Sequence, residues 1–108
     1  MRGGKGAKIK GSTREREVVH IFQEAGIAAQ RVPNSGSSGL DFAGDVNVPI
    51  LGRDHRIEVK AKASGFKSIY SWLGDHYGLV IRADRSEPLM VVRLKDFAEL
   101  AIKADQHR

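Results

Sequence analysis

Two segments in which apolar and polar residues alternate, residues 41–50 and 55–62, constrain the fold of this chain more than any other feature of its sequence. Between them lies Leu51-Gly52-Arg53-Asp54, a polar stretch containing a glycine that is typical of a hairpin turn. Within each segment apolar residues alternate with charged or polar ones, which is the period of a strand buried on one face only. The pattern therefore predicts an antiparallel two-stranded hairpin with one apolar face and one polar face.

The register of this hairpin decides which polar side chains meet. A turn centred on Gly52-Arg53 makes the numbers of opposed residues sum to 105. The opposed pairs are then Val46 with Val59 and Val48 with Ile57 on the apolar face, and Asp45 with Lys60 and Asn47 with Glu58 on the other. An odd-numbered turn or a bulge would break this pairing, so the register is an inference from spacing.

Two carboxylates and an ammonium group on one sheet face indicate a metal-dependent hydrolytic site. Neighbouring carboxylates repel each other unless a cation lies between them, and their hard oxygen donors suit Mg²⁺ or Mn²⁺. Such an ion can polarise a phosphodiester and activate water, while Lys60 holds that water or neutralises developing charge. A solvated salt-bridge pair would give the same local pattern, because Glu-x-Lys is common on strands.

Glu15 is the third acidic candidate. It lies on the same helical stripe as Val18, Phe22 and Ala25, one turn before the first apolar residue, so it should point toward the sheet. Ser12-x-x-Glu15 also fits a capping box, in which Glu15 bonds the backbone N–H of Ser12 at the start of the helix. Both interpretations are open at the level of sequence.

Basic residues are concentrated in two parts of the chain, residues 2–16 and residues 53–67, and the net charge of the chain is +5. Residues 1–11 are rich in Gly and Lys and have no apolar period, which predicts a flexible basic arm before a folded domain at 12–108. Such clusters attract a polyanion, although a solvated basic surface has the same composition. The candidate DNA-binding residues are Lys5, Lys8, Lys10, Arg14, Arg16, Arg31, Lys62 and Lys67.

The remaining segments alternate between helical and strand patterns. The sequence predicts a helix from Ser12 or Thr13 to Gly26, a strand over 27–32, a loop over 33–39, a helix over 66–73, strands over 77–83 and 88–94, and a helix over 95–103. With the hairpin, this order is αβββαββα, which predicts an α/β domain with a central mixed β-sheet flanked by helices.

Composition excludes several classes of protein. The chain has no Cys, so it has no disulfide framework, thiolate metal site or cysteine nucleophile. Its four histidines do not have the spacing of a zinc site. It contains neither the run of about 18 apolar residues that a membrane span requires nor an apolar signal core at its start. These features predict a cytoplasmic protein with no membrane partner.

The acidic residues and the lysine, in this order, resemble the PD-(D/E)-x-K nuclease superfamily, and more closely its Holliday junction resolvase branch in archaeal and phage-encoded forms. The matching segments are residues 11–19, 31–36, 44–46 and 57–60, which together span about half of the chain. The resemblance implies a restriction-endonuclease-like core over 12–108. It also implies an endodeoxyribonuclease that acts as a homodimer and cuts the two opposed strands of a four-way DNA junction.

The same resemblance implies a role for each matched residue. Asp45, Glu58 and Glu15 would bind the metal ion, Mg²⁺ with Mn²⁺ as a substitute, and Lys60 would be the catalytic lysine. Ser35 would be the functional serine of the loop at 31–36, although an ordinary Gly/Ser turn explains that stretch equally well.

Two departures from the family pattern concern the first metal-binding acid. Gly44 stands where the name of the superfamily has proline, and Asp41 is a rival for the acidic position. In the register above, Asp41 faces Ser64 and lies about 13 Å along the strand from Asp45. That distance is too great for Asp41 to share a metal with Glu58, so Asp45 is preferred.

The second half of the chain resembles the archaeal resolvases less, and residues 66–73 look more like short phage-type members. Tyr70 and Trp72 would stack on bases or pack at a dimer interface, but a core or half-exposed position on the helix is favoured. A nuclease acting on flaps, single strands or duplex sites and a non-catalytic DNA-binding module are the alternative functions. The short chain leaves little room for a sequence-reading domain, which favours recognition of DNA structure.

Overall fold

The computed structural model describes residues 3–32 and 42–107, with side chains over 13–32 and 45–107. Within these ranges, helices and strands follow one another in the predicted order αβββαββα, and the α/β class is confirmed. The elements are α1 (Gly3–Glu24), β1 (Gln30–Arg31), β2 (Phe42–Ile50), β3 (Arg53–Ala61), α2 (Lys67–Leu73), β4 (Gly78–Ile81), β5 (Leu89–Val92) and α3 (Leu94–Gln106).

In the described part of the chain the strands form two antiparallel sheets. The first has the order β1-β2-β3, with β2 at its centre, and the second pairs β4 with β5. The sequence predicted one mixed sheet, and this detail is corrected by the observed pairing. A parallel neighbour would need a crossover back to the first sheet, whereas β4 and β5 follow each other closely and pair together.

The β2–β3 hairpin closes through a two-residue turn at Leu51 and Gly52, whose φ angles are 54° and 73°. Positive φ at both positions defines a type I′ turn, in which glycine is favoured as the second residue. Opposed residue numbers therefore sum to 103 and not to 105, so the predicted register was wrong by two residues. A turn centred on Gly52-Arg53 would instead force positive φ on Arg53. Because the shift is even, the predicted faces are retained.

The apolar face of this hairpin forms the core together with two helices. Val46 and Val48 are fully buried in one cluster with Phe22 of α1. The ring of Phe22 meets that of Phe97 on α3 edge-on, with centroids 6.2 Å apart. Ile57 of β3 packs against the same cluster. The alternation of valine and charge in the sequence therefore identified the buried side of the sheet.

Helix α1 begins earlier than the sequence indicated, at Gly3 and not at Ser12 or Thr13. Residues 3–11, for which a flexible arm was predicted, continue the helix. Extending an existing helix gains one hydrogen bond for each residue fixed, so the well-formed part of α1 allows a Gly-rich segment to join it. Ser12 lies within the helix and is not its N-cap, so the capping-box interpretation of Glu15 is wrong.

The other end of α1 was predicted correctly at Gly26. This residue has φ of 101°, and its amide donates to the carbonyl of Gln23 at 3.0 Å. The amide of Ile27 donates to the carbonyl of Phe22, also at 3.0 Å. These two bonds form a Schellman motif, which explains why glycine ends the helix here.

The hairpin turn is also tied to the last helix, because the amide of Leu51 donates to Oδ1 of Asp105 at 2.7 Å. α3 thus contacts the hairpin at its turn as well as through the core. Among the helices described, none is long and apolar enough to cross a membrane.

Candidate active site

Asp45 of β2 and Glu58 of β3 are paired directly across the hairpin, on the face away from the core. Directly opposed residues of antiparallel strands point the same way, with Cβ atoms about 4.5–5.5 Å apart. The two residues are therefore closer along the sheet than the predicted register implied, where Glu58 faced Asn47. The side chains of Asp45 and Glu58 are 29% and 59% exposed, so solvent reaches both.

Two basic residues of β3 accompany these acids. Arg56 donates from Nη1 to Oδ2 of Asp45 at 3.0 Å. Nζ of Lys60 lies 3.5 Å from Oε2 of Glu58, and Lys60 itself faces Ala43 and not Asp45. Arg56, Glu58 and Lys60 alternate along the strand and share one face. Each carboxylate therefore has a cation beside it.

Glu15 lies on the other side of the sheet. It is 2% exposed and points toward the sheet as predicted, and Arg31 donates to it from Nε to Oε1 at 2.8 Å. Arg31 is paired with Val46, so its side chain lies on the face that α1 covers. The structure thus brings Glu15 to Arg31 and not to the pair formed by Asp45 and Glu58.

The donors available for a divalent cation are the two opposed carboxylates. Among the side chains that the structure describes, no three Asp, Glu, His or Cys residues come together as a metal-binding group. Mg²⁺ is commonly held by one or two carboxylates, with water and substrate phosphates in its other coordination positions. Asp45 and Glu58 fit that pattern in the number and the chemistry of their oxygen atoms.

A groove with a volume of about 600 Å³ extends from Lys60 between α1, the end of β3 and α2. Glu17 is the acidic residue on its wall, and it lies 3.6 Å from Nη1 of Arg14. The basic residues on the wall are Arg14, Lys60, Lys62 and Lys67. Three of the predicted DNA-binding residues therefore share one positively charged surface with Lys60, the lysine that contacts Glu58.

The aromatic residues of α2 are more exposed than the sequence indicated. Tyr70 is 76% exposed and lines the basic groove, and Trp72 is 60% exposed. Leu73 is the buried residue of α2. The favoured core or half-exposed position for the two aromatic residues is therefore corrected: half-buried Ile69 and buried Leu73 are four residues apart and share the inner face of α2, which leaves Tyr70 and Trp72 facing solvent.

Several predicted site residues lie outside the described residues or side chains. They are Ser35 with its loop, the rival acid Asp41, and the side chains of Lys5, Lys8 and Lys10. Arg16 is described and is exposed on α1. The functional roles assigned to all of these residues stay predictions.

Arg56 is the neighbour of the acids that the sequence did not reveal. In the predicted register it would face Pro49, whereas in the observed register it faces Asn47 and lies diagonal to Asp45. The signal that could have identified it is Gly52, because its preferred place as the second residue of a type I′ turn sets the register.

Comparison with known families shows a match to the archaeal Holliday junction resolvase (Hjc) model over residues 6–106. Comparison with curated proteins and with solved structures gives no significant match. The family match includes the matched acids and the lysine, and it continues through the second half of the chain, which the sequence resemblance did not cover. The chain therefore belongs to the archaeal Holliday junction resolvase family, whose nucleases have a restriction-endonuclease-like fold.

Proposed function

We propose that this chain is a divalent-metal-dependent endonuclease that resolves four-way DNA junctions by phosphodiester hydrolysis. Membership of the resolvase family supports a nuclease that acts on DNA. The single observation that carries the metal dependence is the direct pairing of Asp45 with Glu58. Two carboxylates this close, on a surface that must also approach a polyanion, favour binding of a divalent cation.

Asp45 and Glu58 are the proposed ligands of Mg²⁺, with Mn²⁺ as a substitute. When bound there, the cation supplies Lewis acidity to the scissile phosphodiester. Lys60 holds its ammonium group beside Glu58 at the start of the basic groove, where it orients water or neutralises charge on the phosphate oxygens. Glu15 and Ser35 are retained as proposed site residues on the family resemblance alone.

The DNA strand is proposed to follow the basic groove away from Lys60. Lys62 and Lys67 would bind phosphates along the groove, and the exposed ring of Tyr70 would stack on a base. Phosphate contacts carry no direct sequence information, so a site of this kind suits recognition of DNA shape. The further phosphate contacts are proposed for Lys5, Lys8, Lys10, Arg14, Arg16 and Arg31.

A homodimer is proposed because a four-way junction has two opposed scissile strands, whereas one chain carries one pair of acids. Val80 and Met90 are opposed on the β4–β5 sheet and are 64% and 61% exposed. Exposed apolar side chains grouped on one surface are typical of an interaction site. A second copy covering this surface would supply the second active site.

Cleavage of a labelled four-way junction tests the proposal against a flap, a single strand and a plain duplex of matched sequence. We expect paired nicks in opposed strands of the junction with Mg²⁺ or Mn²⁺, no cleavage with EDTA, and strongly slowed cleavage in Asp45→Asn. Asp84→Asn, at an exposed acid in the β4–β5 turn, is the matched control and should cleave normally. Equal cleavage of flap or duplex would contradict junction selectivity. Binding without cleavage under either metal would favour a non-catalytic DNA-binding module.

A further inference from the structure

Arg56 is a basic residue that has no part in the family motif or in the chemistry proposed above. Its Nη1 lies 3.0 Å from Oδ2 of Asp45, and its side chain is 60% exposed. It precedes Glu58 by two residues on β3, so the two side chains share a face. The guanidinium of Arg56 thus contacts one of the two carboxylates proposed to bind the metal, although most of the Arg56 side chain is exposed to solvent.

We propose that Arg56 is an internal counter-cation that divalent metal must displace from Asp45, and that it thereby sets the metal affinity of the site. The inference rests on the proposed metal site formed by Asp45 and Glu58. It assigns Arg56 a positioning role, since the guanidinium acts through the carboxylate and not on the substrate.

Two physical effects give Arg56 this role. First, the oxygen atom that accepts its hydrogen bond has to give up that bond before it can coordinate a metal with the same lone pair. Second, a guanidinium that stays near the site repels the incoming cation. Both effects weaken metal binding, so removing Arg56 should strengthen it.

The same contact has the opposite effect when no metal is bound. Asp45 and Glu58 face each other as like charges, and cross-strand pairs of like charge destabilise a sheet. Arg56 beside Asp45 and Lys60 beside Glu58 balance these charges. Loss of Arg56 should therefore destabilise the metal-free protein and increase the stabilisation that metal provides.

Calorimetric titration of Mn²⁺ into the full chain without DNA measures the first consequence. The variants are Arg56→Gln and Arg56→Thr, the second keeping a residue that favours an exposed strand. Both should bind Mn²⁺ about three- to tenfold more tightly than the unmodified chain, as expected for removal of a partly exposed competing charge. The matched control is Arg53→Gln, an exposed arginine of the same strand that is paired with Ile50 beside the turn, and its affinity should be unchanged.

Thermal unfolding of the same proteins in EDTA and in Mg²⁺ measures the second consequence. In EDTA the Arg56 variants should have a lower Tm than the Arg53 control. Addition of Mg²⁺ should raise the Tm of the Arg56 variants more than it raises the Tm of the control. Mn²⁺ affinity that is unchanged or weaker in both Arg56 variants would overturn the inference and leave the metal site intact. If the unmodified chain binds no Mn²⁺, or if Asp45→Asn binds it equally well, the proposed metal site fails and the inference fails with it.

Discussion

Asp45 faces Glu58 across the β2–β3 hairpin. Its strands are joined by a two-residue turn and are paired without interruption over nine residue pairs. The backbone positions of the two acids therefore depend on strand pairing and not on a loop. Sites built on regular elements hold their geometry more accurately than sites built on loops. Substitutions of the acids should consequently change the chemistry of the site without moving its neighbours.

Asp45→Asn and Glu58→Gln should each lower the rate of junction cleavage by about 10²–10³-fold while changing junction affinity only a few-fold. Each substitution removes a charge that would bind the cation but keeps the shape of the side chain. Single-turnover cleavage with Mg²⁺ and gel-shift binding in EDTA measure the two quantities. Cleavage retained in Asp45→Asn but lost in Asp41→Asn would show that the other aspartate is the functional acid.

Arg31→Ala should destabilise the protein by about 1–3 kcal/mol in the absence of DNA. The substitution leaves the carboxylate of buried Glu15 without its guanidinium partner, and the exposed part of the Arg31 site lets water compensate partly. Denaturant unfolding of Arg31→Ala, Glu15→Gln and the double variant measures the coupling between the two residues. A double variant at least as unstable as the sum of the single variants would contradict a favourable pair.

Lys62→Gln combined with Lys67→Gln should weaken junction binding and reduce the slope of log affinity against log salt by about 1–2. Each lost phosphate contact removes about 0.9 from this slope, because fewer counterions are released on binding. Lys95→Gln combined with Lys103→Gln on α3 changes the charge equally and serves as the control. An equal loss of slope in both double variants would indicate a general charge effect and not a DNA path along the groove.

Val80→Glu should convert a dimer to monomers and lower junction cleavage without unfolding the chain. A charge at the centre of an apolar contact between two copies would be buried without a partner. Light scattering during size-exclusion chromatography measures the change in mass. Leu100→Glu is the control, because Leu100 is also more than half exposed but lies on α3. Dissociation by Leu100→Glu and not by Val80→Glu would move the proposed interface to α3.

Which side chains of the hairpin share a face could be predicted from the sequence, because every second residue of a strand points to the same side of the sheet. Val46 and Val48 were placed in the core, and Asp45 and Glu58 on the opposite face, in either register. Which residues face each other depends instead on where the turn lies, and the turn was predicted one residue too late, at Gly52-Arg53 and not at Leu51-Gly52. Arg56 was missed for this reason.

The direction of Glu15 was also predictable, since helical spacing alone turns it toward the sheet. Its partner was not, because the contact with Arg31 depends on how β1 pairs with β2. The early start of α1 at Gly3 was not predictable from local propensity. Several glycines in that segment disfavour a helix, and only continuity with the rest of α1 explains it.

The two-residue length of the Leu51-Gly52 turn limits how this protein can diversify. Inserting one residue next to the turn would invert the strand that follows, turning valine side chains into solvent and acids into the interior. Such an insertion would disrupt the core and the acidic site together, so no single-residue insertion at the turn could alter the site and leave the fold intact. Variation in length should be tolerated only in pairs of residues, or elsewhere in the chain.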